Sequence, residues 1–177
     1  LYAYTDPSKG PDGISAFVAE KGLPGLVYGR NENMMGMRGS IHSEIFLNNL
    51  EIPRENLIGK EGEGFSNMLK TLSVSRLFTA AQAVGLAQEA MEEAISYARQ
   101  RVQFEKPISN HASIQYMIAD MATGIESARL LTYETAFLFD RGEWKKAGTQ
   151  AAMAKCMSSD VAMKTAIDAV QIMGGYG

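Results

Sequence analysis

The chain has one cysteine, Cys156, among its 177 residues. A single thiol can form neither an internal disulfide nor a thiolate metal cluster, which favours a reducing compartment. Its setting, Ala-Met-Ala-Lys-Cys-Met-Ser-Ser, reads as a small core residue of a helix rather than a reactive thiolate. Histidine is nearly as scarce. His42 lies in a polar strand context and His111 at a helix start, neither has partners at ligand spacing, and no metal site is expected. Neither sign of charge is in large excess: the formal net charge is −3, with no basic stripe to neutralise phosphates, so nucleic acid is not an expected partner. Polar residues interrupt every apolar stretch well short of the roughly twenty residues of a membrane helix, so the chain reads as soluble, with no membrane partner. No initiator Met or targeting segment precedes Leu1-Tyr2-Ala3, and Gly174-Gly175-Tyr176-Gly177 is a turn signal with nothing after it. Both ends read as cuts in a longer protein.

The chain is long enough to bury a substantial core. Residues 1 to about 58 are punctuated by Gly and Pro around short β-branched and aromatic runs, Ile14–Val18 and Glu44–Leu47, which read as strands. Gly25–Tyr28, Met37–Gly39 and Leu50–Ile52 are expected to pair with them in an antiparallel sheet, the last stopped by Pro53, which lacks a ladder donor. From Gly64 the period changes. Phe65, Met68, Leu69, Leu72, Ala80, Ala81, Val84, Ala87, Met91, Ala94, Ile95 and Ala98 fall on one face and predict a long helix over 64–100. A break around Pro107 follows, with Ser109 or Asn110 as the cap of a second helix whose stripe runs from Ile114 to Phe139 and ends near Gly142. A third stripe runs from Trp144 through Ala147, Ala151, Ala154, Val161, Thr165, Ala169 and Val170 to Met173. The fold class is therefore α+β: a remnant of an antiparallel β domain (1–58), then an antiparallel long-helix bundle (59–177) with three of an expected four helices. An apolar face is left for a missing helix or another subunit. The 11 methionines read mainly as core filler on these stripes.

Taken one at a time, the motifs leave alternatives open. Glu61-Gly62-Glu63-Gly64 reads as a hinge, its carboxylates arguing against a phosphate loop. In Arg99-Gln100-Arg101-Val102-Gln103-Phe104, two arginines at a helix end either complement the dipole or bind an anionic ligand through the guanidinium fork. Gln171-Ile172-Met173-Gly174-Gly175-Tyr176-Gly177 is either a helix cap or a stretch of small residues that lets another backbone or a ligand approach closely.

In combination they resemble one family, over nearly the whole chain. Ile52-Pro53-Arg54-Glu55-Asn56-Leu57-Ile58-Gly59 followed by Lys60-Glu61-Gly62-Glu63-Gly64-Phe65 is similar to the junction between the middle and C-terminal domains of acyl-CoA dehydrogenases. Ala83-Val84-Gly85-Leu86-Ala87, Ala98–Phe104 and Lys106-Pro107-Ile108 resemble the first C-terminal helix and the turn beyond it. Ala119-Asp120-Met121-Ala122 and Asp168–Gly175 resemble the next two helices.

The resemblance implies an FAD enzyme that oxidises the Cα–Cβ bond of an acyl-CoA thioester to a trans-2-enoyl-CoA and passes electrons to electron-transferring flavoprotein. It implies a homotetramer built as a dimer of dimers, in the cytoplasm or, in a eukaryote, the mitochondrial matrix. By the same resemblance Arg101 and Phe104 reach the FAD of a neighbouring subunit, Arg101 against its pyrophosphate, while Gln171, Gly174 and Gly175 approach the adenosine half. Ser73-Val74-Ser75-Arg76 matches the substrate-side segment, with Ser73 where the family usually has Asp, and Ala112 stands where many relatives have Gln. The catalytic base is expected beyond Gly177, in a Glu-Gly-Thr segment. The minority position before Arg76 is Ser75, too weak a base for α-proton abstraction. Rival readings are an acyl-CoA oxidase-like flavoprotein and a non-enzymatic helical interaction module; the latter leaves the conjunction of Arg101, Phe104 and the Gly-Gly turn unexplained.

Overall fold

Glycines mark where the backbone changes direction. In the computed structural model, which describes residues 1–177, the first long helix starts at Gly64, and Gly142 and Gly174 follow the second and third helices at φ 75° and 60°. The chain divides into two compact units, Leu1–Leu69 and Lys70–Gly177.

In the first unit, β2 (Ile14–Phe17) is the centre of a three-stranded antiparallel sheet, flanked by β1 (Tyr2–Tyr4) and β5 (Leu57–Ile58). Ala16 faces Tyr2 on one side and Ile58 on the other. A second antiparallel pair joins β3 (Leu26–Asn31) to β4 (Ser43–Leu47), with Leu26 opposite Leu47. There are thus two sheets where one is expected. Met37–Gly39 is not a strand, because Met37 turns at φ 55° and its carbonyl accepts from the Ser40 N–H. Leu50–Ile52 is not a strand either; the chain passes Pro53 and pairs only afterwards, at Leu57–Ile58.

Ser15 is fully buried and ties β2 to the start of the helix. Its hydroxyl lies 2.8 Å from Thr5 Oγ1 and accepts from the Gly62 N–H at 2.9 Å. Gly62 turns at φ 85°, and a Cβ on Gly64 would lie 2.6 Å from the Ser15 carbonyl carbon. The Glu63 carboxylate accepts from the Lys60 N–H, satisfying one donor just before the helix. The segment read as a hinge is held by close packing on β2.

Three α-helices follow: α1 (Gly64–Gln100), α2 (Ala112–Asp140) and α3 (Trp144–Met173). In the second unit they run up, down and up. The Arg129 Nη2 of α2 donates to Gln88 Oε1 of α1 at 2.7 Å, Ala94 and Ala98 pack on Met121, and Met121 shares its cluster with Ala169 and Ile172. A second cluster joins Val84 and Ala87 to Ile125 and Ala128, with Met157 and Val161 against it. Alanines at 80, 83, 87, 94, 98, 128, 147, 151 and 154 are buried, and such small side chains let the helix backbones approach closely. Buried hydroxyls are paired as well: Thr132 donates to the Ala128 carbonyl and faces Ser158 Oγ at 3.5 Å. No helix is long and apolar enough to cross a membrane.

Four further features differ from those the sequence predicts. Cys156 is exposed rather than core, because Ala151, Ala154 and Ser158 carry the buried face of α3 and residue 156 points away from it. The α2 cap is His111, and no side chain caps the helix; Ser109 instead offers its carbonyl to the Gln115 amide. Trp144 and Val170, at the two ends of the third stripe, are more than half exposed. Of the methionines only Met121 is fully buried; Met34, Met35, Met37, Met153 and Met163 are exposed.

Candidate functional site

The end of α1 and the end of α3 meet across a cleft of about 410 Å³ lined by Tyr97, Arg101, Gly174, Gly175 and Tyr176 among others. Local backbone geometry fixes each wall. The Arg101 N–H donates to the Tyr97 carbonyl at 2.9 Å, completing the last turn of α1, and the Arg101 carbonyl accepts from the Ile108 N–H at 2.8 Å. Arg101 is therefore clamped by its backbone just past the helix end, whereas Arg99 lies in the last turn. Arg99 complements the helix dipole. The Arg101 side chain is exposed, and the acidic partners within this chain serve Lys9, Arg30, Arg129, Arg141 and Lys164 instead.

Between Arg101 and α2 the chain makes a hairpin, β6 (Val102–Gln103) against β7 (Lys106–Pro107). Its two-residue turn is Phe104-Glu105, at φ 52° and 66°. Such turns favour Asn-Gly because both central residues need positive φ, and a phenylalanine held there is strained. The consequence is a side chain thrown outward: Phe104 is 87% exposed. His111 supports the hairpin from below, its Nε2 3.2 Å from the Gln103 carbonyl and its ring edge-to-face with Phe104 at 6.0 Å.

The opposite wall is backbone. Gly174 leaves α3 at φ 60°, its N–H donating to the Gln171 and Val170 carbonyls. The turn then folds back so far that a Cβ on Gly177 would overlap the Val170 carbonyl oxygen. Gly175 differs: a Cβ there would meet nothing within 4 Å, and its φ is not in the left-handed region. The fold does not require a glycine at 175, yet its bare backbone faces the cleft.

The cleft thus gathers Arg101, Gly174 and Gly175 of the residues singled out in the sequence. Gln171 is exposed on the last turn of α3 and Phe104 stands on the hairpin, neither lining the cleft. Tyr97 and Tyr176 line it too; the sequence points to Tyr176 only as part of the terminal turn and does not single out Tyr97, whose one available signal is its place at i−4 from Arg101, on the same helical face.

The Ser73–Arg76 segment on α1 is split by the helical turn. Val74 and Ser75 line a separate groove of about 450 Å³ with Phe78 and Trp144. Ser73 faces α3, its Oγ 3.7 Å from where a Cβ on Gly148 would stand. Arg76 is exposed, and the Ser75 hydroxyl donates to the Leu72 carbonyl at 3.0 Å. Ser8 and Lys9 hold the Asp6 carboxyl below its usual range, and Asp168 holds Lys164 above its own.

Residues 62–177 match the family model for the acyl-CoA dehydrogenase C-terminal domain. The chain belongs to the acyl-CoA dehydrogenase family. It is 59% identical over its whole length to the cyclohex-1-ene-1-carbonyl-CoA dehydrogenase of Geobacter metallireducens, of which it covers 46%. Among solved structures, it matches a chain from work on the electron transferring flavoprotein of Acidaminococcus fermentans with a TM-score of 0.95 and 49% identity, over 99% of this chain and 46% of that one. It matches the butyryl-CoA dehydrogenase of Megasphaera elsdenii with a TM-score of 0.94 and 44% identity, over 99% of this chain and 45% of that one. The chain spans about half the length of the relatives it matches.

Proposed function

We propose that this chain is part of an FAD-dependent acyl-CoA dehydrogenase, with residues 1–58 ending its middle β domain and 59–177 forming most of its C-terminal helical domain. The observation that carries the reading is the cleft lined by Arg101, which has no acid partner, together with the bare backbone of Gly174 and Gly175. A cation carried on a held backbone beside an unobstructed glycine turn suits a dinucleotide: the guanidinium fork matches phosphate oxygens, and the glycines leave room for a flat ring or a ribose.

In this reading Arg101 holds the pyrophosphate, Gly174, Gly175 and the nearby Gln171 bound the adenosine half, and Phe104 projects from its strained turn toward the same cofactor across a subunit boundary. Bound FAD supplies the acceptor for the hydride that leaves the substrate Cβ. Arg76 and its neighbours Ser73, Val74 and Ser75 contribute to holding the acyl-CoA. Ser75, whose hydroxyl is engaged by its own helix, does not take the α-proton; that base lies on a part of the protein outside this chain. Since in this reading the cofactor site draws on two subunits, oligomerisation is a condition of cofactor binding, and a dimer of dimers is the assembly expected. The Acidaminococcus structural match favours electron-transferring flavoprotein as acceptor, and the Geobacter relative makes a ring acyl-CoA the first substrate to try.

The test is to express the full-length protein whose reading frame contains this chain, record its visible spectrum, and add acyl-CoA thioesters anaerobically, with cyclohex-1-ene-1-carbonyl-CoA, butyryl-CoA and longer straight chains in the panel. A yellow protein bleached by at least one of these is the expected result. A protein that binds no flavin overturns the reading, and oxygen consumption in place of coupling to electron-transferring flavoprotein would make it an oxidase.

A further inference from the structure

The two walls of the Arg101 cleft belong to segments far apart in sequence, and one side-chain contact at its rim joins them. The Tyr97 and Tyr176 rings lie 6.2 Å apart between centroids, tilted by 47°. Tyr97 sits one helical turn before Arg101, and its carbonyl receives the Arg101 N–H. Tyr176 closes the turn carried by Gly174 and Gly175. The hydrogen bonds of that turn are internal: Gly174 donates to Gln171 and Val170, and Gly177 donates to Gly174. Ile172 is buried with Ala94 and Ala98, Ile108 packs against the same cluster, and both isoleucines line the cleft, which anchors α3 to α1 beside it. At the mouth, the Tyr97–Tyr176 ring pair bridges the Arg101 wall and the Gly-Gly turn.

We propose that Tyr97 and Tyr176 form an aromatic clasp that sets the width of this cleft and so positions Arg101 for the pyrophosphate and Gly175 for the adenosine half of a dinucleotide. The proposal rests on the cofactor reading of the cleft given above. Both tyrosines are positioning residues. The clasp is made by ring faces and edges, so the hydroxyls are dispensable.

The experiment measures FAD affinity of the full-length protein by titrating the flavin-free form and following flavin fluorescence. The variants are Tyr97→Ala, Tyr97→Phe, Tyr176→Ala, the double alanine variant and Arg101→Ala. Each single tyrosine-to-alanine change should weaken FAD binding about 2- to 12-fold, the range an aromatic pair contributes. Tyr97→Phe should keep wild-type affinity. The double variant should be no weaker than the worse single one within about twofold, because both changes remove the same contact. Tyr176 is 80% exposed, so Tyr176→Ala reads the clasp even if Tyr97→Ala fails to fold. Additive losses, or a Tyr97→Phe as weak as Tyr97→Ala, would overturn the clasp. So would unchanged affinity in Tyr176→Ala beside a weakened Arg101→Ala. Unchanged affinity in Arg101→Ala as well would remove the cofactor reading itself, and the clasp with it.

Discussion

Replacing Gly175 by alanine distinguishes a glycine kept for the fold from one kept for a ligand. Its neighbour Gly174 holds φ 60° with ψ −126°, a conformation side chains rarely adopt, so an alanine there would cost about 1–3 kcal/mol. At 175 the backbone is ordinary and the new methyl meets no atom of the chain, so the flavin-free protein should lose less than about 0.5 kcal/mol. In the holoprotein the same methyl stands on the wall of the Arg101 cleft. If a cofactor packs on that backbone, the overpacked contact costs about 1–3 kcal/mol. At about 1.4 kcal/mol per tenfold, that is roughly a 5- to 150-fold loss of affinity. The assay pairs thermal unfolding of the flavin-free protein with FAD titration for Gly174→Ala and Gly175→Ala. Gly174→Ala should lower the melting temperature, while Gly175→Ala should leave it in place and weaken FAD binding. A Gly175→Ala protein that binds FAD as tightly as wild type would mean nothing packs against that backbone, and one that melts early would mean the glycine is structural.

Three further outcomes test the fold around the site. Ile125→Ala empties a position only 2% exposed in the cluster with Val84, Ala87 and Ala128, and should destabilise the protein by about 2–5 kcal/mol in denaturant unfolding. Gly64→Ala drives a methyl into the backbone of Ser15 and should cost about 1–3 kcal/mol, with faster hydrogen exchange at the Gly62 amide that Ser15 now protects. Glu105→Gly removes one of two strained residues from the hairpin turn; relief of about 1–2 kcal/mol against an entropic cost of about 0.5–1 kcal/mol should slow exchange at the Lys106 amide, and faster exchange would show that the turn is not strained.

The helices were legible because their periodic signal is long. An apolar face repeated over many turns leaves little choice, and Gly64, Gly142 and Gly174 bracket the helices that the stripes predict. The strands were not, for the opposite reason. β5 has two residues and no period at all, and it begins beyond Pro53, where a missing donor argues for a stop. Met37–Gly39 has strand composition but lies in a turn, an outcome decided by the backbone angle of Met37 rather than by its side chain. Cys156 shows how coarse a local reading is: its neighbours are those of a packed helix, and two residues' displacement from Ala154 turns it to the surface.

The candidate site divides along the same line. Arg101 and the Gly-Gly turn stand out because arginine past a helix end and paired glycines are uncommon choices whose chemistry can be stated without coordinates. What those residues meet cannot be read so. Phe104 and Glu105 have no intrinsic preference for positive φ, so nothing in their identity announces a hairpin turn; its existence depends on the Val102–Pro107 pairing and on His111 beneath it. Tyr97 and Tyr176 look like ordinary helix and turn residues until α1 and α3 are laid side by side. Gly175 is the instructive case, since sequence alone cannot separate it from Gly174. Both have open space for a Cβ, but the ordinary φ at 175, against 60° at 174, shows that the fold leaves that position free, and a glycine the fold does not need, on a cleft wall facing an unpaired arginine, is best explained by something that binds there.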